Sequence, residues 1–156
     1  GIDMSGQDEL PIGEAGGIYF ASPENFEEVI DVMQVAMTNG DGGFAPENDV
    51  EALLKAIARY GNRSDRVVLI ADNNADVRDI ILAKRLTRPI DIVICARGGR
   101  PVNPDYIYLA WETGGSVIVD DKELHFDKSN PQTSKSVEFM GTTYIQMDGG
   151  QFRKME

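Results

Sequence analysis

The chain has 156 residues, 42% hydrophobic and 26% charged, which fits one globular domain with a sizeable core. Its 26 acidic and 15 basic side chains give a formal charge of −11, and no Lys/Arg cluster suited to phosphate backbones interrupts that excess, so nucleic acid and anionic lipid are excluded as expected partners. No stretch is long or apolar enough for membrane insertion, no signal peptide is visible, and the single cysteine allows no disulfide within the chain, so the compartment stays open.

The chain opens without an initiator methionine and reads as a trimmed start, with residues 1–15 expected to be poorly structured. Gly17–Ala21 (GIYFA) is short, aromatic and β-branched, the composition of a strand. Ser22, Pro23 and Glu24 then supply an N-cap, a first-turn proline and an acid at the positive end of a helix. Phe26, Val29, Ile30, Met33 and Met37 follow at three- and four-residue spacing, one apolar helical face, which Asn39 and Gly40 end. After the glycine-rich loop GDGGFAPEN, helical spacing resumes at Val50, Leu53, Leu54 and Ile57, and Gly61 stops it.

DRVVLIAD, residues 65–72, is a continuous apolar run of the kind buried on both faces of a parallel sheet. DVRDIILAKRL, residues 76–86, returns to helical spacing. IDIVICA, residues 90–96, is a second buried-type strand, and Cys95 within it is expected to be a buried small hydrophobe. Pro104 marks a helix start, Tyr106 to Trp111 carry the helix with Trp111 packing in the core, and Gly114-Gly115 terminate it. SVIVD, residues 116–120, is a third strand.

Strands separated by helices predict an α/β fold: a three-layer, doubly wound, mainly parallel sheet of Rossmann-like type, spanning residues 1–121. Residues 122–135 read as a polar linker. Residues 136–156 alternate in period two around Met140-Gly141 and Asp148-Gly149, which predicts a β-hairpin or small meander appended to the sheet edge of the same domain.

In such a sheet, ligands meet the carboxyl ends of the strands. Asp72, Asn73, Asn74, Arg97, Arg100 and Asp41 are predicted to approach that edge. An aspartate among oxygen donors suits a hard divalent cation; the alternative is that Asp72-Asn73-Asn74 turns the chain and Asp76 caps the next helix. GDGGFAPE lacks the Gly-Lys-Ser/Thr ending of a phosphate loop and follows a helix instead of a strand. Arg97 and Arg100 offer local positive charge for an anion. The only histidine, His125, has a surface or half-buried role, so familiar Ser or Cys triads lack a base and no catalysis is expected.

Three blocks together resemble a von Willebrand factor A-type domain. GDGGFAPENDVEALLKAI is similar to that family's Gly-Gly…Pro-Glu…Ala-Leu loop and helix. DRVVLIADNNADVRD is similar to its fourth-strand block, which ends in an aspartate of the metal-ion-dependent adhesion site. PIDIVICARGGRPVNPDYIYLAWETGGSVIVDD carries the Ala-x-x-Thr-Gly-Gly-strand signature. The resemblance covers about Gly16 to Asp121. It implies a doubly wound sheet and a protein-binding role mediated by Mg²⁺ or Mn²⁺, with Asp72 as the matching metal ligand. Phe44 or Ala45 stands where the family's loop threonine belongs, and Asp3 and Ser5 only imitate the first-strand Asp-x-Ser-x-Ser, with Gln7 in place of the last serine. The resemblance therefore implies an incomplete metal site and a missing first strand. Such a loss would leave a sheet edge that the N-terminal segment covers or through which a homodimer forms.

The expected function is a non-catalytic protein-interaction domain whose partner the sequence does not name. The rivals are a nucleotide- or anion-binding Rossmann- or flavodoxin-like domain, and a metal-dependent hydrolase using Asp72, Asp41 and Asp76.

Overall fold

The computed structural model describes residues 24–39, 48–61, 66–73, 76–95, 98–129 and 135–155. Helices α1 (Phe26–Asn39) and α2 (Asp49–Tyr60) precede a four-stranded sheet of β1 (Val67–Ala71), β2 (Ile90–Ile94), β3 (Ser116–Val119) and β4 (Lys122–His125), in that spatial order. β1, β2 and β3 are parallel, and β4 returns antiparallel to β3. A 3₁₀ helix (Ile80–Arg85) joins β1 to β2, and α3 (Pro104–Thr113) joins β2 to β3. The strand predicted at Gly17–Ala21 lies outside the described residues.

The register sets Val67, Leu69 and Ala71 beside Ile90, Ile92 and Ile94, and Ile92 beside Val117. On this face Ile90, Ile92, Ile94, Val117 and Val119 are at most 4% exposed. They pack with Ile107, Leu109 and Ala110 of α3 and with Val50 and Leu53 of α2 in one core. Each such aliphatic side chain contributes about 1.5–3 kcal/mol by leaving water.

The opposite face corrects the expectation of strands buried on both sides. Val68 is 49% exposed and Ile70 70%, while Val93 and Ile118 are half-buried. The reason is topological. β1, β2 and β3 are laid down in one direction across the sheet, and right-handed crossovers then put both connections on the same face. Cys95, expected inside, is exposed, because it follows the last buried residue of β2 and points to the uncovered side. The apolar stripe of α1 also stays outside the core: Phe26, Ile30 and Met33 are exposed.

Three further expectations change. Residues 76–86 form no α-helix; Leu82 N–H donates to Asp79 O and Leu86 N–H to Ala83 O, a 3₁₀ pattern. Lys122–His125, expected within a linker, forms β4, since Asp120 adopts a positive φ of 53° and turns the chain back along β3. The tail does form a meander, β5 (Ser136–Phe139), β6 (Thr142–Gln146) and β7 (Phe152–Lys154). Its first turn, Met140-Gly141, has positive φ at both positions, as a tight hairpin requires. It is a separate sheet, however, and packs on α3 instead of extending the edge of the first sheet. Trp111, half-buried on α3, stacks on Tyr108 at 6.0 Å and meets Phe152 edge-on at 6.1 Å. The Tyr144 hydroxyl, fully buried, donates to Val102 O at 2.9 Å.

The Thr-Gly-Gly stretch sets how α3 hands over to β3. Thr113 Oγ1 donates to Leu109 O and accepts from Ile90 N–H, tying the helix end to the start of β2. Gly114 is the left-handed C-cap at φ 76°. Gly115 runs so close to β2 that a Cβ there would sit 2.0 Å from Ile90 O. The backbone cannot yield without separating β2 from β3. Gly115→Ala is therefore expected to lose about 3 kcal/mol or more of stability by urea denaturation, or to prevent folding.

Candidate functional site

The carboxyl ends of β1 and β2 meet the start of α3 and the N-terminus of α2. Asp72 follows β1 directly and is exposed. Asn73 turns the chain at a φ of 68°, a conformation that asparagine tolerates better than most residues. Its side chain does not face outward. Asn73 Oδ1 accepts from Asn103 N–H at 2.6 Å and its amide donates to Pro101 O at 3.1 Å, and the residue is 6% exposed. The predicted binding role of Asn73 is thus taken over by a clamp between the β1 turn and the loop that enters α3.

Asn103 extends the clamp. It is the N-cap of α3, accepting from Asp105 N–H at 2.9 Å, with Pro104 behind it in the first turn. Its amide donates to Asp76 Oδ1 at 3.0 Å. Asp76 therefore serves Asn103 and does not cap the following helix. Asp105 in turn accepts from Val77 N–H at 2.9 Å, which ties the start of residues 76–86 to the first turn of α3.

The carboxylate of Asp79 does what neither Asp76 nor the local N-cap residue does. Its oxygens accept from Val50 N–H at 3.3 Å and Glu51 N–H at 2.6 Å, capping α2 from across the chain. Asn48, at the N-cap position itself, accepts from Arg78 Nε at 2.8 Å instead. The Tyr106 hydroxyl donates to Asp49 Oδ2 at 3.0 Å and joins α3 to the same helix end. Nothing in the local spacing around Asp79 announces this role. The Asn103-Pro104 pair was the one visible signal, as a cap followed by a first-turn proline.

Burial pushes the carboxyl groups of Asp79 and Asp105 above the ordinary aspartate range, against the backbone N–H groups that favour the charged form. The nearby Asp76 charge pushes Asp105 further. Glu51 also rises, by burial and then by the Asp79 charge.

Of the other predicted residues, Arg100 is exposed after a turn in which Gly98 and Gly99 have positive φ. Asp41, Asn74 and Arg97 lie outside the described residues. Among the described residues, no group of three or more His, Cys, Asp or Glu side chains could hold a metal ion. Among the described rim residues, Asp72 is exposed, while Asn73 and Asp76 are hydrogen-bonded to the Asn103 loop.

A second polar cluster lies on the uncovered face, at the opposite end of the strands. Arg66 holds Asp91 through Nε at 3.0 Å and Nη2 at 2.6 Å. Ser116 Oγ, 1% exposed, donates to Glu123 Oε1 at 2.6 Å and lies 3.0 Å from His125 Nδ1. The serine O–H donates to the carboxylate, and the residue is buried. This differs from the Ser–His–acid order in which histidine activates the nucleophile.

Two measurements check this account. Asn73→Ala removes both ends of the clamp and is expected to cost about 2–3 kcal/mol in urea unfolding. Because Asp79 and Asp105 bind protons more readily folded than unfolded, stability is expected to rise as pH falls from 7 towards about 4, and Asp79→Asn to flatten that rise.

Comparison of the chain with family models, curated proteins and solved structures returned no match in any of the three.

Proposed function

We propose that the chain is a divergent von Willebrand factor A-like domain that binds a protein partner without catalysis, through the rim at the carboxyl ends of its parallel strands. The observation that carries this reading is the position of Asp72. Its carboxylate is exposed directly after β1, and the turn behind it is fixed by the Asn73–Asn103 clamp. A contact surface gains affinity from such pre-ordering because little freedom is lost on binding. The Thr113-Gly114-Gly115 handover between α3 and β3 supports the same family reading, as does the parallel pairing of β1 with β2 and of β2 with β3. Exposed Arg100 gives the rim a positive charge beside the acidic one, a pattern suited to a partner of mixed charge.

The metal-dependent form of adhesion is not part of this proposal, since Phe44 or Ala45 and Gln7 stand where the family's hydroxyl ligands belong. The chain is expected to show no micromolar Mn²⁺ binding by calorimetry. Micromolar binding that disappears in Asp72→Ala would overturn the incomplete-site reading. Partner capture is expected to be lost in the Asp72→Ala/Arg100→Ala variant and unaffected by EDTA. Stoichiometric binding of a fluorescent nucleotide, or turnover of a phosphodiester with added metal, would favour the anion-binding or hydrolase reading instead.

A further inference from the structure

The sheet has an end at β1: among the described residues this strand pairs with β2 alone. Along a strand the N–H and C=O of one residue point to the same side, and that side alternates. Cys95 N–H donates to Ala71 O at 2.8 Å, so Ala71, and with it Leu69 and Val67, faces β2. Val68 and Ile70 therefore direct their backbone groups away from the sheet. These are the same two residues whose side chains stand exposed on the uncovered face, at 49% and 70%.

Soluble proteins blunt such edges with proline, lysine or an inward charge. The strand VVLIA contains none of these. Its charges instead flank it, Arg66 immediately before and Asp72 immediately after. Both belong to the alternation of Val68 and Ile70, hence to the same face and the same outward side. Arg66 is shown to lie on that face by its bond to Asp91, which belongs with half-buried Val93 on the uncovered side of β2.

We infer that two copies of this chain join through their β1 edges, antiparallel and centred on Leu69, with Arg66 of each copy facing Asp72 of the other. In this register Val68 of one copy exchanges its outward N–H and C=O with Ile70 of the second, and the exposed side chains of both pairs form one apolar row. The arrangement is self-complementary about a two-fold axis, as a closed dimer requires. Sliding the pair by one pleat repeat sets Arg66 against Ile70, or Asp72 against Val68, and loses the opposite-charge match at both ends. The contact is small, so the dimer is in micromolar equilibrium with its monomer. It goes beyond the rim reading and does not depend on it.

Sedimentation velocity of the whole chain, from low micromolar to a few hundred micromolar at low salt, tests this. A monomer–dimer equilibrium is expected. Arg66→Asp or Asp72→Arg alone places like charges opposite each other at both ends and is expected to weaken the dimer roughly tenfold. The double variant exchanges the charges and is expected to restore it. Ile70→Pro removes an outward N–H without touching the bonds to β2, and is expected to give a monomer with an unchanged far-ultraviolet circular dichroism spectrum. A chain that stays monomeric over the whole range overturns the inference. So does a dimer whose affinity ignores the charge reversals and their exchange.

Discussion

Right-handed crossovers laid down in one direction govern this structure. From β1 to β2 to β3 the chain advances across the sheet without reversing, so the 3₁₀ helix and α3 fall on one face and the core forms there. The other face receives no crossover among the described residues. Its apolar side chains are consequently less covered than their neighbours along each strand: Val68 and Ile70 are exposed, and Val93 and Ile118 half-buried. The observed architecture is accordingly α/β with a mainly parallel four-stranded sheet and a separate antiparallel meander.

Packing on one side places heavy demands on the helix ends. α2, α3 and the 3₁₀ helix converge over the carboxyl ends of β1 and β2, where their unsatisfied N–H groups meet. Side chains distant in sequence satisfy them: Asp79 for α2, Asp105 for Val77, Asn73 for the loop into α3. Burying Asp79 and Asp105 raises their proton affinity, so part of what each hydrogen bond contributes is offset by desolvation. The polar residues that gather at the rim are therefore mostly structural. Asp72 and Arg100 are the exposed charges that sequence reasoning placed there and that the described structure leaves facing outward.

The three apolar strands were legible because buried strands need runs such as VVLIA and IDIVI, and the glycines after α3 were legible because a helix stop and a close strand approach both require them. The segment 76–86 was not. Its helical spacing is real, but the segment closes i→i+3 bonds and its polar groups reach outward, Val77 N–H to Asp105 and the Asp79 carboxylate to the start of α2, and no local pattern encodes partners nearly thirty residues away. β4 was hidden by its polarity: KELH lies at a sheet edge with one face in water and has little apolar content to show. At the site, the location of Asp72 followed from the strand that precedes it, whereas the inward turn of Asn73 followed from a loop elsewhere in the chain.

Asp72 stands where the rim and the sheet edge meet, and the proposed contacts are thereby linked. In an antiparallel edge dimer the two β1 strands run in opposite directions, so the two rims lie at opposite ends of one continuous sheet. Each Asp72 then neighbours Arg66 of the second copy, which draws part of its negative charge away from the rim and leaves Arg100 more prominent there. Such a dimer presents two binding surfaces that cannot close on one compact partner. It is suited instead to bridging two partners, or two sites on an extended one, where the second contact benefits from the first.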